Sequence, residues 1–177
     1  MPMRLKLALR DVTILLFALF FWRLESDLRG GDPNAAATCV AVVAGVATVL
    51  CGYLAHEWGH LAGGWLSRAV VHHPRSLLAV FLFRFDADRN GRGQFLAMSL
   101  GGFAASAVVV ALLLEILPRD SLAGRLALTL TLLGVVATVI LELPAFWRVA
   151  RGAPIPTGAA YRSAAEQPGG ADDRAAA

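Results

Sequence analysis

Charge is scarce in this chain. Of its 177 residues, 16% are Asp, Glu, Lys or Arg, against about 25% in a soluble domain. Hydrophobic residues make up 57%, and the mean hydropathy is +0.62. Several uncharged runs reach the roughly 20 residues a helix needs to cross a bilayer, so the composition points to an integral membrane protein with the lipid bilayer as its solvent. Cysteine is equally sparse. Cys39 and Cys51 share one apolar run and lack C-x-x-C spacing; they read as buried thiols, too far apart along one helix for a disulfide. Nor is there a basic excess that calls for nucleic acid. The net charge is +3, and the arginines flank apolar segments as a topology signal does.

Against that background one polar cluster stands out, Ala55-His56-Glu57-Trp58-Gly59-His60-Leu61. It carries the H-E-x-x-H pattern. Residues four apart share a helix face, so His56 and His60 can hold one zinc ion, with Glu57 beside the open coordination position as general base towards a metal-bound water. The pattern arises by chance on the order of once in a few hundred chains of this length. Its setting makes an accident less plausible still: residues 35 to 55 are apolar or small, and an unpaired charge inside such a helix costs roughly 2.5 kcal/mol or more. The competing reading is a structural polar cluster without metal.

Residues 1 to 10 are basic, and 12 to 22 are apolar. A span over 6–24 requires Arg10 and Asp11 to snorkel or pair. A cleaved signal peptide is the alternative, but no small-x-small site follows Trp22; a retained first helix is expected. Residues 25 to 34 read as a polar loop with turn chemistry in Gly30-Gly31-Asp32-Pro33, and Asn34 as the cap of the next helix. That helix is expected over 35–67. At about 50 Å it exceeds a bilayer core of about 30 Å, so it must tilt, kink or project, with Gly45 and Gly52 as weak points.

Between residues 68 and 93 lies an interlude with five arginines. Ser76 to Asp86 is too short to span, and its aromatics alternate at 81, 83 and 85; it reads as a strand or hairpin at the membrane surface. His72 and His73, beside Pro74, read as solvated. Asp86 to Gly91 imitates the start of a calcium loop, but its twelfth position is Ala97 where a bidentate Glu is needed, so a turn is expected. Two more spans follow, at 94–117 and 122–149. Glu142 is the only acid in the last one, and Pro144 loosens the helix beside it. The fold class is thus an all-α membrane protein of about four transmembrane helices, with a short β-hairpin between the second and third. Residues 1–150 form the membrane domain and 151–177 a disordered cytoplasmic tail.

With the N-terminus inside, twelve Lys and Arg residues face the cytoplasm and four face outward, a positive-inside pattern. Glu57 then lies about 16 Å from the cytoplasmic helix end and Glu142 about 9 Å, at 1.5 Å per residue. Glu142 could therefore complete a His56, His60, Glu142 ligand set. The alternatives are that it pairs with Arg148 or snorkels, and that Asp86 or Asp88 folds back into the site. A small-residue face at Gly52, Gly59 and Gly63 is expected to meet Gly102 and Ser106.

The chain resembles the site-2 protease family of intramembrane zinc metalloproteases. The resemblance covers roughly residues 35 to 150 and is carried by His56-Glu57-Trp58-Gly59-His60, by Arg92 to Ser106 with its Gly-rich stretch, and by the hairpin-like segment between them. It implies a zinc cofactor and cleavage of transmembrane helices of membrane-protein substrates; the expected setting is a bacterial inner membrane, with both termini cytoplasmic by the Lys and Arg asymmetry. It also implies an L-D-G motif whose Asp is the third zinc ligand. The corresponding stretch here runs Leu141-Glu142-Leu143-Pro144 to Gly152, with no Asp. A catalytically inactive membrane scaffold or binding protein is therefore the second expectation. Zinc transport, which would need polar residues throughout the bilayer, is a distant third.

Overall fold

The computed structural model describes residues 1–31, 34–158 and 160–162. Among these, four helices carry the fold: α1 Met3–Leu28, α2 Ala35–Leu66, α3 Arg92–Ile116 and α4 Leu122–Ala150. Three short strands, β1 Val71–His72, β2 Arg84–Asp86 and β3 Tyr161–Arg162, form one sheet in the order β1-β2-β3.

The helix ends follow from local chemistry. The Asn34 side chain accepts from Ala37 N–H at 2.9 Å and starts α2. The helix stops where Arg68 turns left-handed (φ 59°), and Ala69 N–H reaches back to the Gly64 carbonyl at 2.8 Å. Gln94 Oε1 accepts from Gly91 N–H at 2.7 Å at the start of α3. Ser121 Oγ accepts from Gly124 N–H at 3.0 Å at the start of α4.

Helices α2, α3 and α4 are long and apolar enough to cross a membrane, which fits an integral membrane protein. The sequence suggests about four such helices; α1 does not qualify, because Arg10, Asp11 and Arg23 interrupt it. Its inner charges are paired. Arg10 Nε lies 2.7 Å from Asp11 Oδ1, and Asp11 Oδ2 accepts from Trp58 Nε1 at 2.8 Å. Helix α1 also runs further than expected, through Glu25, which is buried and bound to Arg29 at 2.5 Å. The turn expected at 30–33 lies partly outside the described residues.

Helix α2 is unbroken and central. Gly59 and Gly63 meet Ala97, Gly101 and Ala105 of α3 so closely that a Cβ at Gly59 would sit 2.5 Å from Ala105 Cβ. At its other end Gly45 faces Ala123 and Leu126 of α4, so this expected weak point is a packing site. The small-residue contact with α3 is real but displaced by one residue: Gly102 and Ser106 face the histidines, and Gly52 touches only Val109. Cys39, expected buried, is exposed, and Cys51 is half-buried.

An aromatic and aliphatic cluster of Leu7, Leu61, Leu82, Phe85, Phe95 and Val149 closes one end of the bundle. Ala41, Ala44 and Ala123, with Phe21 and Trp22 against them, close the other. Helix α1 therefore runs antiparallel to α2, and Trp22 Nε1 donates to Thr48 Oγ1 at 2.7 Å across the pair.

The sheet corrects the sequence in three places. Strand structure is confined to Arg84–Asp86 within the expected 76–86 segment, and its antiparallel partner is Val71–His72, with Val71 opposite Phe85. The chain after Gly152, expected to be disordered, returns to this end and pairs Tyr161 in parallel with Phe85. The rest of the expected tail, 163–177, lies outside the described residues. His72, expected to be solvated, is half-buried and held by Asp86 at 2.8 Å. Asp86 also accepts from Arg89 N–H at 3.0 Å, closing the turn that the sequence predicts there.

Candidate metal centre

Helix periodicity sets the first two side chains. His56 and His60 are four apart on α2, their rings 4.4 Å between centroids, and their Nε2 atoms approach to 2.9 Å. Helix α3 supplies a matching pair of acceptors at the same spacing. His56 Nδ1 lies 3.1 Å from the Gly102 carbonyl and 2.9 Å from Ser106 Oγ; His60 Nδ1 lies 3.0 Å from the Met98 carbonyl. A carbonyl only accepts, so Nδ1 carries a hydrogen on each ring, and in the neutral imidazole this leaves the lone pair on Nε2. Gly102 makes this possible: a Cβ there would fall 2.5 Å from ring atoms of His60.

Helix α4 brings the third group. Glu142 Oε1 lies 3.2 Å from His56 Nε2, and Oε2 lies 3.2 Å from His60 Nε2. Two imidazole lone pairs and a carboxylate thus converge, each an acceptor, with His56 buried and Glu142 half-buried. Three acceptors at such distances repel one another unless a proton or a metal ion is shared among them. Tetrahedral ligands at about 2.0–2.1 Å from a metal lie about 3.3 Å apart, close to the observed separations. The residues fit a metal ion.

Glu57 points elsewhere on the same side. It is buried, and its Oε2 accepts from Leu82 N–H at 3.1 Å. It shares a cavity of about 410 Å³ with His60 and Glu142, walled by Phe81, Phe83 and Tyr161. Glu57, His60 and Glu142, expected from sequence, therefore line one cavity, and His56 adjoins it through its contacts with His60 and Glu142. Asp86 is turned to His72, and neither it nor Asp88 belongs to the cluster. Among the described residues no ion pair joins Glu142 to Arg148, which lines the same cavity. Sequence reasoning missed the Met98 and Gly102 carbonyls, the Leu82 amide and the chain after α4 as wall. Only the Gly101-Gly102 and Ser106 pattern hinted at the first of these.

Fold and site together define a mostly helical, membrane-type chain with a His-His-Glu cluster able to hold a metal. Comparison with family models, curated proteins and solved structures gave no match.

Proposed function

We propose that this chain is an intramembrane zinc metallopeptidase of the site-2 protease type, cleaving transmembrane segments of membrane proteins. The observation that carries the reading is the meeting of three side chains from α2 and α4 at 3.2, 3.2 and 2.9 Å, with a second acid, Glu57, in the cavity that His60 and Glu142 line. A zinc ion held by His56, His60 and Glu142 would supply Lewis acidity, polarising a peptide carbonyl and lowering the pKa of water. Glu142 offsets charge and closes the ligand set from the side opposite α3. Glu57 takes and returns a proton at its carboxylate once Leu82 N–H yields its place. Phe81, Phe83 and Tyr161 keep lipid out of the cavity.

The proposed setting is a bacterial plasma membrane with both termini cytoplasmic. Four crossings fit the antiparallel α1, whose Leu16 and Phe20 are about 60% exposed and so need an apolar surrounding. They fit the sheet as well, which gathers the 68–91 loop and the segment after α4 at the end where Leu7 is buried. A thiol at position 90 labelled only from the periplasmic side would refute this orientation.

A second reading is a membrane scaffold or binding protein that does not cleave. The Leu82 N–H bond favours it, because that bond engages the carboxylate a base needs free. The two separate on Glu57→Gln in reconstituted membranes with single-span substrates. The peptidase reading expects zinc retained and cleavage lost. A zinc-replete parent protein that binds such a substrate without cutting it supports the scaffold instead.

A further inference from the structure

The 73–83 connection between β1 and β2 is held to the bundle by side chains of α1 and α2 that reach its backbone. Tyr53 Oη donates to the Val80 carbonyl at 2.7 Å, and Glu57 Oε2 accepts from Leu82 N–H at 3.1 Å. On α1, Arg10 Nη1 donates to the Leu77 carbonyl at 2.6 Å. Tyr53 and Glu57 are four apart on α2, so both rise from one helix face, a turn from each other. The two backbone groups they hold flank Phe81. A carbonyl and an amide two residues apart are also what one antiparallel strand offers its neighbour along one edge. Here helix side chains stand in the neighbour's place.

The inner end of this stretch is packed. Leu82 is 2% exposed and belongs to the core cluster, and His73 Nδ1 lies 3.4 Å from its carbonyl. The outer end stands out, with Val80 68% exposed. Tyr53 therefore holds the backbone where it leaves the surface, and Glu57 holds it where it enters the core. Phe81 and Phe83, on either side of Leu82, line the cavity of Glu57, His60 and Glu142. The position of residues 80–82 thus sets both the engagement of Glu57 Oε2 and the room beside it.

We infer that Tyr53 is a positioning residue for Glu57: its hydroxyl, through the Val80 carbonyl, keeps Leu82 N–H on the carboxylate and restrains the base. Release begins at Val80, lifts the 80–82 backbone and leaves Oε2 free to take a proton. The catalytic meaning of this latch rests on the peptidase reading of Glu57; the latch itself does not. A tyrosine that only packs supports activity, whereas this one holds it back.

Tyr53→Phe keeps the ring and removes the hydroxyl. Hydrogen exchange at the Leu82 amide, read by fragmentation mass spectrometry on full-length protein in nanodiscs, needs neither metal nor substrate. Loss of one hydrogen bond should speed it about threefold to tenfold, with the amides from Phe95 to Gly102 of α3 at parental rates. In zinc-loaded protein with a single-span substrate, kcat should rise by about the same factor and KM should not move. Unchanged exchange at Leu82 overturns the latch, and so does a general speeding that includes α3. Faster exchange in a cleaving protein whose kcat is equal or lower makes the Tyr53 bond merely structural, and a raised KM makes Tyr53 a substrate contact; either result overturns the inference. Faster exchange at Leu82 in a protein that cleaves no substrate leaves the latch standing and removes the peptidase reading. Cleavage with unchanged exchange does the reverse.

Discussion

Glu142 of α4 lies 3.2 Å from Nε2 of His56 on α2, although 86 residues separate them in the chain. A lone acid in an apolar helix is costly unless paired, and this pairing supplies its reason for being there. Of the three sequence-level options for Glu142, the geometry selects the one shared with the histidines.

Zinc stoichiometry in purified variants tests the ligand set. Glu142→Ala should lower zinc affinity by about a hundredfold or more, approaching the loss in His56→Ala. Asp86→Ala should keep full occupancy, because its carboxylate is engaged by His72. Full zinc at parental affinity in Glu142→Ala would remove the carboxylate from the site.

Ser106→Ala probes the outer layer of the same centre. Its Oγ is 2.9 Å from His56 Nδ1, and the Gly102 carbonyl remains to orient the ring. The expected cost is at the lower end of about 10–100-fold in metal affinity, with the thermal midpoint unchanged. A variant that binds zinc as tightly as the parent shows that the carbonyl alone fixes His56.

Two glycine substitutions separate packing from propensity. A methyl at Gly101 would collide with the Gly59 carbonyl, so Gly101→Ala should cost about 1–3 kcal/mol of stability. Gly134 has nothing within 4 Å, and Gly134→Ala should be neutral or gain up to about 1 kcal/mol from helix propensity. Denaturation in mild detergent reads both. Equal stabilities would mean that α2 and α3 do not approach at Gly59.

The acid limb of stability should carry the mark of Asp86. Burial raises its carboxyl, but bonds from His72 and from the Arg89 and Asp88 amides outweigh it, and the net position is below the ordinary carboxylate range. A depressed folded value stabilises the protein above the unfolded pKa of about 3.9 and is lost as pH falls through the folded value. The parent should therefore lose thermal stability below about pH 4 more steeply than Asp86→Asn. Parallel acid limbs for the two proteins contradict this account.

How much of this was legible in the sequence follows from which forces are local. Helices α2, α3 and α4, the Asn34 cap and the His56–His60 pairing rest on periodicity and nearest neighbours, and they read correctly, whereas α1 runs on to Leu28 through residues that read as a polar loop. Glu142 was found because a carboxylate in an apolar helix advertises itself. The error of one residue in the α2–α3 contact, Gly101 in place of Gly102, arose because glycines at adjacent positions look alike until the helix rotation is known. Strand β3 was invisible because two residues carry no period, and its partner is 76 positions away by the register of Tyr161 with Phe85.

The one-residue offset on α3 has a mechanical consequence. The stripe through Ala97, Gly101 and Ala105 locks α3 to α2, while the neighbouring carbonyls of Met98 and Gly102 hold the imidazoles. Sliding these two helices would break both sets at once, so the histidines ride on a clamped pair. Glu142 rides on α4, where Pro144 leaves the carbonyl of Ile140 without its helical donor. The three groups are therefore held from two supports, the imidazoles by a helix pair locked at two sets of contacts and the carboxylate by a helix that lacks one backbone hydrogen bond beside it.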